Sequence, residues 1–137
     1  MATTITYSND EQYEIGNGGI IAAATTLTAA DSGNTYILTA AAGAEIALPA
    51  LKSGLKFKFI VGSAFATTDW TIVSSTDIIQ GNVLVAGAHV AGSDENTISF
   101  VASAESIGDY VDVVCDGTSY FVSGSGVTAG SITFTAP

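Results

Sequence analysis

Between Thr35 and Ser74, apolar and polar residues alternate in short runs separated by turn-forming segments. The clearest run is Leu55–Val61, where Leu55, Phe57, Phe59 and Val61 take every second position and Lys56, Lys58 and Ile60 fill the alternates. A period of two sends successive side chains to opposite faces of a sheet, so this run predicts a strand with one apolar face. Tyr36–Leu38, Glu45–Leu48 and Trp70–Val73 read the same way, separated by Ala42-Gly43, by Pro49 to Gly54 and by Ala66 to Asp69. Pro49 stops its run because proline cannot donate to a strand ladder, and Gly54 opens the next.

The pattern continues to the C-terminus. DIIQG and NVLVAG predict a hairpin about Gly81-Asn82, followed by a long loop over residues 87–96 and a strand in TISFVA. YVDVVCDG then turns at Asp116-Gly117 into SYFVSG, Gly124-Ser125-Gly126 reads as a connector, and SITFTA closes the chain. About nine or ten short strands, spaced by roughly eight to twelve residues with turn chemistry between them, predict an all-β sandwich or barrel of jelly-roll type. Residues 34–137 form that domain. Residues 1–33 are expected to be an N-terminal arm carrying a first strand, with TITY, within residues 3–7, a strand candidate. In residues 20–31 alanine density favours a helix, while Ile, Thr and Leu fit an extended run.

Composition narrows the function. A chain of 137 residues that is 47% hydrophobic is large enough for one real core and is not a disordered tract. Only 12% of residues are charged, so hydroxyl and amide groups must supply solubility, a surface that also suits burial in an assembly. Thirteen acids against three lysines leave a net charge of −10, and arginine is absent. Nothing here neutralises a phosphate backbone, which argues against nucleic acid as a partner. No apolar run is long enough to span a bilayer, and the N-terminus has no basic segment of the kind that opens a signal peptide. One cysteine cannot close an internal disulfide; Cys115 shares its face with Val111 and Val113 and reads as a small buried hydrophobe. Folding in a reducing cytoplasm is expected.

Candidate chemistry is sparse. His89, the one histidine, stands near Asp94-Glu95, but a lone histidine without a second His or Cys at ligand spacing makes a poor zinc site. Asp94-Glu95-Asn96 lacks the spacing of a calcium loop. Asp109, Asp112 and Asp116 could supply a carboxylate pair for glycoside chemistry; Asp112 and Asp116 keep phase with Tyr110 and Val114, which places them on a solvated face. No nucleophile elbow or phosphate-binding glycine motif occurs. Trp70, Tyr36, Tyr110, Tyr120 and Phe121 could build a sugar platform, although Trp70 alternates with Ile72 as a core residue would. The expectation is a protein that is not an enzyme and needs no cofactor or metal.

Two segments carry a resemblance. ILTAAAGAEIALPALKSGLKFKFIVGSA (37–64) and GDYVDVVCDGTSYFVSGSG (108–126) resemble β-rich virion proteins of tailed bacteriophages, in particular small capsid decoration (cement) proteins such as those of cyanobacterial phages, and also tail-fibre domains. The matching positions Pro49, Gly54, Asp116 and Gly117 are structural turns. The resemblance implies a homotrimeric β protein on the capsid exterior of a virion, made in the host cytoplasm. It would bind the major capsid protein and brace neighbouring capsomers. Lys52, Lys56, Lys58, Ile20 and Ile21 are then the candidate inter-subunit or capsid contacts. The alternative is a head-fibre or tail-fibre module that binds a host-surface glycan.

Overall fold

Each pass of the chain through residues 19–73 carries it from one sheet to the other. The computed structural model describes residues 19–136; residues 1–18, with the expected strand at TITY, lie outside them. The strands are β1 (Gly19–Ile21), β2 (Thr25–Thr26), β3 (Thr35–Leu38), β4 (Glu45–Ala47), β5 (Lys56–Val61), β6 (Trp70–Val73), β7 (Ile79–Val85), β8 (Ala88–Glu95), β9 (Thr97–Phe100), β10 (Tyr110–Cys115), β11 (Tyr120–Gly126) and β12 (Ile132–Thr135). They form a seven-stranded sheet in the order β1-β3-β5-β10-β11-β7-β8 and a five-stranded sheet in the order β12-β9-β6-β4-β2. The protein is an all-β sandwich, as the strand pattern predicts.

The winding differs from an antiparallel jelly roll. β1, β3 and β5 run parallel in the first sheet, and β2, β4 and β6 run parallel in the second. Parallel neighbours require a crossover between them; here each crossover is a strand of the opposite sheet, so the first six strands coil through both layers. The antiparallel hairpin β10–β11 then inserts between β5 and β7, and β9 returns antiparallel to β6.

Inward parity builds the core. Leu55, Phe57, Phe59 and Val61 are buried, as their spacing predicts, and Tyr36 stacks on Phe59 with ring centroids 5.8 Å apart. Trp70, Ile72, Ile98, Phe100 and Ile132 meet them from the second sheet. Cys115 is a free, buried cysteine beside buried Val111 and Val113.

Several sequence expectations need correction. Within the described part of the expected arm, residues 19–33, β1 and β2 extend both sheets, and Ile21 and Leu27 enter the core. The ambiguous stretch is extended apart from a single 3-10 turn at Ala29–Asp31. Twelve strands, rather than nine or ten, occur among the described residues. Gly81-Asn82 is no hairpin turn; β7 runs straight through it, and the chain reverses at Ala86-Gly87. Gly81 has φ +133° at a register shift, and any Cβ there would collide with the Val122 backbone, so this glycine permits close approach instead of a turn. The expected loop 87–96 is mostly β8, held by pairing with β7 despite its small and polar residues. Gly124-Ser125-Gly126 belongs to β11 and is paired on both sides.

Candidate interaction surfaces

The turns named from sequence are built by local hydrogen bonds. Asp116 Oδ1 accepts from the Thr118 amide and hydroxyl at 2.8 Å each and from the Ser119 amide at 2.9 Å, and Gly117 adopts φ +102°. These donors favour the charged carboxylate and hold the Asp116 acid below its ordinary value. Gly54, at φ +89°, donates its amide to the Cys115 carbonyl at 2.9 Å, which brings the β5 and β10 turns together. Pro49 offers its carbonyl to the Tyr120 hydroxyl.

The outward positions of the first sheet form registered rows. One row runs Ile20, Ile37, Ile60, Tyr110, Ser125, Leu84, His89, strand by strand from β1 to β8. Beside it, Lys58 lies opposite Asp112 and Lys56 opposite Val114, whose other neighbour is Phe121. Ile20, Ile37, Leu84, Val114 and Phe121 are all exposed, so this face carries apolar area together with two of the three lysines. Lys58 Nζ stands 4.5 Å from the Tyr110 ring centroid, a cation–π contact. Thr35, Lys56, Lys58 and Asp112 border a shallow depression of about 370 Å³.

Of the contacts predicted from sequence, the fold thus gathers Ile20, Lys56 and Lys58 on one face. Lys52 sits exposed in the loop after β4, and Ile21 points into the core, because it follows the outward Ile20 on a strand of period two.

A second surface escaped the sequence reading. At one end of the sandwich the loops after β9 and β11 adjoin, and they display Ile107 and Val127 at 69% and 72% exposure. Asp109, only 2% exposed, organises both loops. Its Oδ2 accepts from the Ser106 amide at 2.9 Å and its Oδ1 from the Val127 amide at 3.0 Å. Ser106 and Thr128 hydroxyls also lie 3.3 Å apart. The only sequence signal for this tip is a large apolar residue next to glycine in each of two turn segments, Ile107-Gly108 and Gly126-Val127.

The chemical candidates are dispersed or engaged elsewhere. His89 is exposed on β8, with Nδ1 3.2 Å from Asn82 Oδ1. Asp94 accepts a hydrogen bond from Gln80, and Asn96 Oδ1 accepts from Thr97 Oγ1. Asp109, Asp112 and Asp116 are divided among the tip, the outer face and the β10–β11 turn. Among the described residues no group of three or more His, Cys, Asp or Glu is placed to hold a metal ion. Trp70, Tyr36 and Tyr120 are core residues, leaving only Tyr110 and Phe121 of the aromatic set on an outer face. No helix among the described residues is long and apolar enough to cross a membrane. Comparison with known proteins matched the chain to no family model, no curated protein and no solved structure.

Proposed function

We propose that this protein is a structural virion component that binds the outer surface of a phage capsid and stabilises the shell by bracing neighbouring capsomers, acting as a homotrimer. The observation that carries the reading is the tip: a buried carboxylate holds two loops in place while each displays a large apolar side chain to solvent. Covering Ile107 and Val127 would contribute about 1.5–3 kcal/mol for each side chain. A contact that small is weak in one copy, but it becomes strong when many copies engage one shell. Threefold closure would join three tips without leaving an open-ended contact. The segments that resemble decoration proteins support the same reading; they supply β4 to the smaller sheet and β5, β10 and β11 to the larger one.

The test adds purified protein to a panel of undecorated tailed-phage capsids, cyanobacterial phages included, and measures bound copies per shell and the temperature of capsid disruption. Saturable binding and a raised disruption temperature are expected, with at least a tenfold loss of affinity for the Ile107→Ser/Val127→Ser variant. Absence of binding to every shell, with binding to a glycan array instead, would replace this reading by a host-surface glycan module.

A further inference from the structure

At the tip end of the sandwich, the loop between β5 and β6 and the loop between β9 and β10 clasp each other through carboxylates. Asp69 Oδ1 accepts from the Ala102 amide at 2.8 Å, and Glu105 Oε1 accepts in return from the Phe65 amide at 2.9 Å. The second oxygen of Glu105, Oε2, is enclosed and has no hydrogen-bond partner among the described residues. A covered carboxylate oxygen that accepts nothing is costly, so a donor that reached it would relieve that cost. Beside it opens a recess of about 320 Å³, lined by Ala41, Ala64, Phe65, Ala66, Ser103 and Glu105. The three alanines and Ser103 are exposed, which leaves the recess open from outside. Ser103 is held at φ +66°, a conformation serine seldom adopts, while its amide bonds to the Phe65 carbonyl at 3.1 Å.

We propose that this recess takes a lysine side chain from the partner surface, its methylene stem against Ala41, Ala64 and Ala66 and its ammonium on Glu105 Oε2. A long cationic side chain buries its stem on apolar surface while its head keeps a polar contact, which is what small apolar walls around one carboxylate offer. The soft terminal torsion of a glutamate lets Oε2 turn toward an arriving donor. Because Oε1 is engaged by the Phe65 amide, one oxygen is left, and that suits the point charge of an ammonium better than the two-pronged guanidinium of arginine. A single acidic side chain is too little for a metal ion, in keeping with the absence of any metal-holding group among the described residues. The loops 39–44, 62–69, 101–109 and 127–131 contain Asp69, Glu105 and Asp109 and no basic residue, so this end attracts cations and holds no lysine of its own to fill the recess. Glu105 stands two residues before Ile107 of the tip. The inference therefore names the chemistry of the surface that the tip meets, and it rests on the shell-binding reading for where the lysine comes from.

The experiment titrates the isotope-labelled full chain with Nα-acetyl-lysine methylamide at constant ionic strength and follows the backbone amide resonances. Those of Phe65, Ala66, Ser103 and Glu105 should shift together and saturate with a Kd of roughly 10 mM, the scale of one ion pair and a few buried methylenes. The norleucine analogue keeps the stem and lacks the ammonium, and should bind roughly fivefold more weakly, the worth of one part-exposed ion pair. Glu105→Gln keeps an oxygen for the Phe65 amide and should lose the same factor. Shifts that do not saturate, equal binding of the two analogues, or undiminished binding to Glu105→Gln would each overturn the proposal. Should that variant fold poorly, Ala66→Leu fills the recess without touching the carboxylate, and undiminished binding to it counts against the lysine socket. Undecorated shells give the second readout: Glu105→Gln should bind them roughly fivefold more weakly with Ile107 and Val127 in place. Shells that bind both proteins equally would overturn the lysine contact while the tip reading stands. Failure of every shell to bind would overturn the shell reading, and the titration then decides the recess by itself.

Discussion

Tyr120 on β11 donates its hydroxyl to the carbonyl of Pro49, 2.7 Å away, and so ties the larger sheet to the turn that follows β4 of the smaller one. The two residues are 71 positions apart in the chain. Replacing Tyr120 by Phe keeps the buried ring and removes this bond, and should cost about 1 kcal/mol in urea unfolding.

The same phenol sets an alkaline limit. Burial, with the Cys115 charge adding to it, pushes the Tyr120 hydroxyl up to about 12, against an ordinary value near 10. The folded state therefore holds its proton where the unfolded chain has lost it. The stability this group contributes is complete below about pH 10 and is lost as pH rises toward 12. Denaturation midpoints should be flat from pH 8 to 10 and then fall. In Tyr120→Phe the fall should shrink, leaving the smaller share of Tyr36, whose hydroxyl burial also raises. An identical fall in the variant would show that other groups govern it.

Asp116 acts at the opposite end of the pH scale. Its folded value lies below its unfolded one, so its contribution is present above the unfolded value of 3.8 and disappears as pH falls through the folded value. Asp116→Asn retains an oxygen acceptor for the turn but loses the charge, so it should flatten this acid limb by lowering the midpoint at neutral pH slightly toward the acid-form value. Asp116→Ala should lower the midpoint at neutral pH as well, by loss of the bonds to Thr118 and Ser119.

Removing the Asp109 carboxylate strands two amides in the tip. Asp109→Ala should destabilise the protein by roughly 2–6 kcal/mol, about 1–3 for each of the two amides left without a partner. Hydrogen exchange should quicken at Ser106 and Val127, whose amides it now holds. Exchange unchanged at both would mean that the loops keep their arrangement without it.

Gly92 and Phe134 join the edge strands β8 and β12 on one side of the sandwich; a Cβ on Gly92 would come within 2.7 Å of the ring. Gly92→Ala should force the ring aside at a cost of about 1–3 kcal/mol. Gly92→Ala combined with Phe134→Leu should recover part of that loss, measured by denaturation of the single and double variants.

Strand parity and turn chemistry were legible in the sequence because both are local. Leu55, Phe57, Phe59 and Val61 face the core by alternation alone, and Asp116 builds its turn from residues two and three positions away. The lysines of β5 could be placed outward for the same reason. Tertiary structure decided which strands pair. Within Gly19–Thr26 the Ile and Thr residues allow an extended run without requiring it, and nothing within Ala88–Glu95 marks a strand; each stretch takes its conformation from a partner, β3 and β4 for the first and β7 for the second. Gly81 and Gly124 looked like turn and linker residues. They turned out to lie in paired strands, where added side chains would strike the Val122 and Tyr110 backbones. The Ile107–Val127 tip exists only because Asp109 bridges residues on both loops, and hydrogen bonding across 18 positions leaves no periodic trace. Alternation determined which side of each strand is buried. The coil through two sheets, and with it the surfaces available for binding, depended on contacts between residues far apart in the chain.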